Sequence, residues 1–226
     1  QMKARGLIID AKDIYNDTKP AIYNAVVWHS GGGTGSIISD QGLMITNHHV
    51  AYGDIHNLST PEHNYLKDGF WAKSRCCELP VPGTNVTFVR KIIDVTEEAK
   101  HIRDSILNTG SGLGLGGMKV MGAVAGKYQG KLDPSYELDC VSFFGGELYL
   151  LFCNEVYNDV RLVGAPPERI GAFGGEQDNW GWPQHKGDFT LYRVYGDANG
   201  KPADYSPDNV PIKPVKVLNV STAGVT

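Results

Sequence analysis

Three short apolar runs between residues 25 and 46 constrain the fold of this chain more than any other feature. The glycine loop Gly31–Gly33 separates the first run from the second, and the tight turn Asp40–Gly42 separates the second from the third. Each run has the length of a strand, and the residues between them are typical of hairpin connections. The pattern predicts a β-meander built from Ala25–Trp28, Ser36–Ser39 and Leu43–Thr46.

The composition agrees with a globular, turn-rich β protein. The 226 residues include 28 glycines and 12 prolines, and a chain of this length can bury a substantial core. The net charge of -4 gives no electrostatic basis for binding nucleic acid, and no apolar stretch approaches the ~20 residues needed to span a bilayer. No signal peptide is visible. The first residue is Gln1 rather than Met, so a signal peptide could have been removed and export stays open. The cysteines lack C-x-x-C spacing, which disfavours structural zinc and leaves the disulfide state undecided for Cys76, Cys77, Cys140 and Cys153.

The rest of the chain predicts further strands with a minor helical content. Thr84–Val95 alternates like a strand, and Thr96–Leu107 has the spacing of a short amphipathic helix with its first residue as N-cap. Residues 53–82 are predicted to form loops that wrap a barrel, and the glycine-rich residues from about 108 to 130 are predicted to form another loop. Four more strands are predicted near residues 137–144, 147–154, 156–163 and 188–195.

Two side chains are candidates for proton transfer. His49 stands at the end of the third predicted strand, where a histidine with a pKa near ~6.5 can accept and return a proton at neutral pH. Asp188 opens a later alternating strand and can orient the imidazole. A single strand-end histidine is more often satisfied by backbone hydrogen bonds, so the pair needs support from its surroundings. No convincing nucleophile accompanies it, because Ser111 is interpreted as part of a linker.

Two other kinds of site have weak support. Gly112, Gly114 and Gly117 formally satisfy G-x-G-x-x-G, but the strand that should precede a nucleotide loop and the helix that should follow it are not indicated. Four histidines lie close in sequence, yet their spacing matches no known metal-ligand motif. The sequence therefore predicts no metal and no cofactor at Gly112–Gly117 or at His48, His49, His56 and His63.

Five longer stretches carry a more specific signal. They are Gly31–Gly35, Thr46–His49, Leu58–Ala72, Asp159–Pro167 and Gly174–Trp180. Together they resemble the bacterial dipeptidyl peptidases 7 and 11 and their relatives, a family of serine exopeptidases. The resemblance extends from the first predicted strand to about residue 196 and so covers nearly the whole chain.

The resemblance implies a mainly β, chymotrypsin-like double β-barrel fold. Residues 1–226 would be the N-terminal part of the peptidase domain, the first β-barrel with its flanking loops and short helices. The helical cap domain and the second barrel, which in the family supplies the nucleophilic serine, would be absent from this chain.

The resemblance also assigns roles to four residues. His49 matches the catalytic base and Asp188 matches the acid that orients it. Asn179 and Trp180 match the residues that receive the free N-terminus of the substrate, for which an amide acceptor and an aromatic face are suitable groups. Binding the N-terminus places the scissile bond two residues in, so the implied reaction is dipeptide release.

Two positions depart from the family pattern. Relatives commonly have a cysteine at each, forming a clamp beside the base, whereas this chain has Gly33 and Val50. Both cysteines are missing together, so no orphan thiol results. The loss removes a cross-link that would restrain the unfolded chain, and burial of Val50 is expected to compensate in part.

Two hypotheses of different class follow. The chain is either the N-terminal portion of a serine dipeptidyl aminopeptidase, inactive alone because it lacks the serine, or a non-catalytic short paralogue that binds peptide N-termini. The expected partners are a peptide with a free N-terminus, the remaining part of a longer chain and a second copy in a homodimer. The resemblance places the protein in the periplasm, on the bacterial surface or outside the cell, while the specificity for the penultimate side chain stays open.

Overall fold

The computed structural model describes residues 3–108, 113–171 and 187–218, and within them the fold is mainly β with antiparallel strand pairs. The strands are β1 Val26–His29, β2 Gly33–Ile37, β3 Leu43–Thr46, β4 Phe70–Trp71, β5 Leu79–Pro80, β6 Val86–Asp94, β7 Glu137–Phe143, β8 Leu148–Tyr157, β9 Asp159–Ala165, β10 Thr190–Gly196 and β11 Val210–Pro211. The α-helices are α1 Ala11–Ile14, α2 His48–Leu58, α3 Tyr65–Asp68, α4 Thr96–Asn108, α5 Leu113–Tyr128 and α6 Glu168–Gly171. Among the described helices, none combines the length and the apolar character needed to cross a membrane.

The chain divides into two compact units. The first consists of Gln1–Phe88 and Tyr157–Thr226, and the second of Val89–Val156. In the first unit the strands run in the order β4-β9-β10-β3-β2-β1, followed by the start of β6, with β5 paired to β9 and β11 paired to β10. The second unit contains the rest of β6, most of β8, strand β7 and helices α4 and α5.

The predicted β-meander is present in the first unit as β1, β2 and β3. Val27 pairs with Gly35 on one side and with Phe88 of β6 on the other, and Ile37 pairs with Met44. The turn between β2 and β3 contains Gly42 with φ +66°, a conformation that favours glycine. Burial of the apolar strand faces against α2 builds the core, whose members include Val27, Ile37, Met44, Ala51, Ile55, Phe88, Leu162, Tyr192 and Val194.

Residues 53–82 do not form the predicted wrapping loops. Helix α2 extends to Leu58, α3 follows it, and the two short strands β4 and β5 both pair with β9, so this segment contributes to the sheet. Ala51 and Ile55 are four residues apart on α2 and both are fully buried, which is the helical signal that the nearby glycine and prolines obscured. The correction changes the setting of His49, which lies in a helix rather than at the end of a strand.

The prediction of a glycine-rich loop is wrong for residues 113–128, which form α5. Val120 and Val124, four residues apart, are buried in the core of the second unit with Ala99 of α4 and Leu151 of β8. Each helical glycine costs about 0.5–1 kcal/mol relative to alanine, and burial of this apolar face offsets that cost. Among the residues that the structure describes, the element preceding α5 is helix α4 rather than the strand required before a nucleotide-binding glycine loop.

The remaining predicted elements match the structure closely. Helix α4 covers Thr96–Asn108, and the four later strands correspond to β7, β8, β9 and β10. Thr96 is the first helical residue rather than the N-cap, and its backbone N–H donates to Oδ1 of Asp94 at 3.0 Å. The Asp94 carboxylate also accepts from the Thr96 hydroxyl at 2.6 Å, so it binds the first residue of the helix through two donors.

Candidate active site

The register of two neighbouring strands brings together the residues on which the site is built. Strands β3 and β10 are antiparallel, and their last pair joins Thr46 to Thr190. The chain leaving β3 and the chain entering β10 therefore meet at the same end of the sheet. His49 follows Thr46 by three residues and Asp188 precedes Thr190 by two, so two side chains separated by 139 residues in sequence become neighbours.

His49 and Asp188 form a direct side-chain contact. His49 Nδ1 lies 2.8 Å from Asp188 Oδ2, within the range expected for this hydrogen bond. Because an ionised carboxylate only accepts, Nδ1 carries the ring proton and Nε2 is left as the basic nitrogen. The Asp188 side chain is 10% exposed and that of His49 is 42% exposed, so the acid is sheltered while the imidazole is open to solvent. This arrangement can accept a proton at Nε2 and stabilise the resulting imidazolium.

Asn47 is a further member of the site that sequence reasoning missed. Its side-chain Nδ2 donates to Asp188 Oδ2 at 3.0 Å, so the same oxygen that holds the imidazole also accepts from an amide. Asn47 is largely buried and precedes His49 by two residues, within the Thr46–His49 stretch. The polar residue directly before the two histidines was the available signal.

The N-terminus of helix α2 also points to Asp188. His49 is the second residue of this helix, and its backbone N–H donates to Asp188 Oδ1 at 3.1 Å. Asn47, at the N-cap position, makes no capping hydrogen bond through its side chain. Asp188, which precedes β10, therefore caps the helix with its carboxylate.

His48 is adjacent to His49 but has a different environment. It is fully buried, and its Nε2–H donates to the backbone carbonyl of Pro166 at 3.1 Å. Burial lowers the pKa of His48, with smaller raising contributions from the Pro166 hydrogen bond and from Asp188, so the ring is held neutral. His48 is turned inward while His49 is exposed, because adjacent residues of a helix occupy different faces.

The residue that follows Asp188 belongs to a pair of aromatic rings. Phe189, the residue after Asp188, lies with its ring 6.1 Å from that of Trp71. Trp71 is 55% exposed and packs so closely on β9 that a Cβ placed on Gly164 would lie 2.4 Å from its ring. A side chain at position 164 would therefore collide with the Trp71 ring.

The positions expected to carry a cysteine clamp in relatives contact each other directly here. A Cβ placed on Gly33 would lie 2.5 Å from Cγ2 of Val50, so the valine side chain fills the space beside the glycine. In this chain, packing between Val50 and Gly33 therefore stands where a disulfide was expected in relatives, and Val50 is the residue after His49.

Within the described ranges, no cluster of three or more His, Cys, Asp or Glu side chains has the geometry to hold a metal ion. The four cysteines are free thiols. Burial raises the pKa of Cys140 to about 11 and also raises that of Cys153, whereas the exposed Cys77 has a lowered pKa, first through its contact with Ser74. Four residues singled out from the sequence, Ser111, Gly112, Asn179 and Trp180, lie outside the described part of the chain.

Comparison with known proteins supports a peptidase relationship. The chain is 46% identical to an Asp/Glu-specific dipeptidyl-peptidase of Porphyromonas gingivalis and 43% identical to a dipeptidyl-peptidase 7 of Phocaeicola vulgatus, in each case over 100% of this chain and 32% of the relative. The crystal structure of Porphyromonas endodontalis DPP11 superimposes with a TM-score of 0.86 at 42% identity, covering 100% of this chain and 32% of that one.

The chain thus spans about a third of the length of the relatives it matches. Another matching structure is the Porphyromonas endodontalis DPP11 in complex with the dipeptide Arg-Glu, at 43% identity and a TM-score of 0.86. The family model described as Peptidase S46 matches residues 1–226. The chain therefore belongs to the peptidase S46 family.

Proposed function

We propose that this chain carries the general base and its orienting acid for a serine-type dipeptidyl aminopeptidase. In this proposal His49 is the base, Asp188 is the acid, and Asn179 and Trp180 receive the free N-terminus of the peptide. The single observation that carries the proposal is the 2.8 Å contact between His49 Nδ1 and Asp188 Oδ2, with the opposite ring nitrogen on an accessible side chain.

The contact supports a specific course of proton transfer. With Nδ1–H donated to Asp188, His49 Nε2 can take the proton of a serine hydroxyl as that oxygen attacks the peptide carbonyl. The imidazolium is stabilised by the carboxylate and then returns the proton to the leaving amine. Asp188 stays ionised throughout, helped by Asn47 and by the backbone N–H of His49.

We place the serine outside these 226 residues. The family resemblance assigns it to a second barrel within a Gly-x-Ser-Gly segment, and the chain spans only about a third of its relatives. A chymotrypsin-like arrangement of two barrels, with a helical cap domain, is part of the same proposal. On this basis the 226-residue chain alone is inactive.

The amine site accounts for release of dipeptides rather than internal cleavage. An Asn carbonyl can accept from an ammonium group and a Trp ring can lie against it, which fixes the distance from the N-terminus to the scissile bond. The matching DPP11 structures with a dipeptide or substrate bound support a peptide ligand for this family member as well. The same resemblance supports a homodimer located in the periplasm, on the cell surface or outside the cell.

The alternative is a non-catalytic protein that binds peptide N-termini. The open reading frame distinguishes the two, because a continuation containing Gly-x-Ser-Gly favours the peptidase and a stop codon directly after Thr226 favours the binder.

Activity provides the decisive test of the proposal. The full-length protein should release dipeptides from peptides with a free N-terminus and should react with a fluorophosphonate probe, whereas the 226-residue chain should do neither. His49→Ala should abolish turnover in the full-length protein. His56→Ala is the matched control because His56 lies on the same helix with an exposed side chain away from Asp188. Full activity of a folded His49→Ala variant would contradict the assignment.

A further inference from the structure

Helix α2 is attached by polar contacts to β10 and to the residues leading into it at two separate points. The first is the contact between His49 and Asp188. In the second, the Tyr192 hydroxyl donates a hydrogen bond of 2.8 Å to Oδ2 of Asp54. Asp54 lies five residues beyond His49, a rise of about 7.5 Å along the helix. The helix is therefore fixed at two points.

Three side chains surround the Asp54 carboxylate. Besides Tyr192, Thr84 donates from Oγ1 to Oδ1 at 2.7 Å, and His29 Nε2 lies 3.3 Å from Oδ2, close enough for attraction although not aligned as a hydrogen bond. The side chains of Tyr192 and His29 are fully buried, and that of Asp54 is 15% exposed. Burial alone would raise the pKa of Asp54, but these contacts outweigh it and lower the pKa, which keeps the carboxylate ionised.

His29 extends this network to the glycine loop. The backbone N–H of Gly31 donates to His29 Nδ1 at 3.0 Å, so the proton of the neutral ring lies on Nε2, facing Asp54. Gly31 in turn lies against the first turn of α2, because a Cβ at this position would be 2.8 Å from the carbonyl oxygen of Val50. The start of α2 is thus held by close packing against Gly31, and its middle by the polar contacts of Asp54.

We propose that Asp54 is a positioning residue for the base, fixing α2 against β10 and thereby setting the distance and angle between His49 and Asp188. The inference rests on the proposed role of His49, but the geometry it concerns is measurable without catalysis. Removing the carboxylate would leave the buried Tyr192 hydroxyl without its acceptor and His29 without its neighbouring charge. Helix α2 would then no longer be restrained at its second point of attachment.

The test is an NMR measurement of the Nδ1 proton of His49 in a chain labelled at its histidines. The resonance is assigned by its loss in the His49→Gln variant. A proton held between imidazole and carboxylate gives a separate downfield resonance that exchanges slowly with solvent. We expect this resonance in the wild type and expect it to broaden or disappear in Asp54→Ala under conditions where circular dichroism shows a folded chain. Tyr192→Phe, which removes a single donor, should have a smaller effect in the same direction.

Ile55→Val is the matched control. Ile55 follows Asp54 on α2 and is fully buried, so this change loosens the core without altering the polar network. Its His49 resonance should equal that of the wild type. An unchanged resonance in folded Asp54→Ala, or equal broadening in an equally destabilised Ile55→Val, would overturn the inference.

In the full-length peptidase, Asp54→Ala should lower kcat by about ten- to a hundredfold with little change in KM, because a displacement of about 1 Å at the base has an effect of that size. Failure of the proposed function would have a different signature. In that case His49→Gln would remove the resonance and leave the activity of the protein intact.

Discussion

Cγ2 of Val50 lies 2.5 Å from the position that a β-carbon on Gly33 would occupy. A side chain at position 33 therefore has no room beside the valine, and the contact lies directly beside His49. At this point the glycine loop packs closely against the first turn of α2.

Gly33→Ala should consequently destabilise the protein by about 1–3 kcal/mol, as expected for overpacking of a tight contact. The midpoint of urea unfolding measures the loss. Val50→Ala in the same chain should restore much of it. Gly53→Ala is the control, because no atom lies within 4 Å of the added Cβ and alanine is favoured in a helix. Equal destabilisation by both glycine substitutions would contradict this account.

Replacing Asp188 by asparagine tests the orientation of the base. The amide introduced in the full-length Asp188→Asn variant no longer enforces the Nδ1–H tautomer of His49, and the loss in kcat should approach ~10⁴-fold, as for comparable His-Asp pairs. Steady-state kinetics measure it. Asp197→Asn, at an exposed turn of the first unit, is the control and should retain wild-type kinetics. A loss of less than tenfold would remove Asp188 from the proposed mechanism.

Asn179→Ala tests the amine site. Loss of an acceptor from a charged donor should reduce kcat/KM for peptides with a free N-terminus by about ten- to a hundredfold, corresponding to roughly 1.5–3 kcal/mol. The informative quantity is kcat/KM for a peptide with a free N-terminus divided by kcat/KM for its N-acetylated form. This ratio should be smaller in Asn179→Ala and in Trp180→Ala than in the wild type. General damage to the fold would lower both rates alike and leave the ratio unchanged.

His48 should make the stability of the fold dependent on pH. Its pKa is lowered in the folded protein, chiefly by burial, so the unfolded chain binds a proton more readily. The stability contributed by the neutral ring is present above pH ~6.5 and is lost as the pH falls toward the folded pKa. The free energy of unfolding is measured by urea titration at pH 7.5 and at pH 5.5. The difference between the two values should be smaller for His48→Gln than for the wild type. His56→Gln, at an exposed position of the same helix, should retain the wild-type difference.

The thiols should fall into two classes. Cys76 and Cys77 are exposed and should react rapidly with Ellman's reagent, whereas Cys140 and Cys153 are buried with raised pKa values and should react only on unfolding. Ser74→Ala should slow the reaction of Cys77, because the contact with Ser74 is the main cause of its lowered pKa. Four thiols reacting at one rate in the folded chain would contradict this division.

Strand positions were readable from the sequence wherever alternation was clear. Leu43–Thr46 and the run after Asp188 were predicted almost to the residue, because their apolar periodicity directly reflects the sheet. The helices α2 and α5 were missed since their glycines suggested loops, while the pairs Ala51–Ile55 and Val120–Val124 gain their stabilisation only from tertiary packing.

The residues of the site divide in the same way. His49 and Asp188 belong to stretches with a recognisable pattern, so their pairing could be anticipated. Asn47 is marked only as the polar residue before the two histidines, and Asp54 has no such signal, because both roles depend on which strand lies beside which helix. Such a relationship is a property of the register between β3 and β10, and no local spacing encodes it.

The capping of α2 by Asp188 has a consequence for the order of events during synthesis. The acceptor for the His49 N–H is encoded 139 residues downstream. At about 5–20 residues per second, the ribosome adds it roughly 7 to 28 s after the helix itself. A nascent chain that has only reached α2 therefore has the imidazole but lacks both its helix cap and its orienting carboxylate. The side chain that caps α2 is also the one that orients the imidazole, so both contacts of His49 can form only after Asp188 has been synthesised.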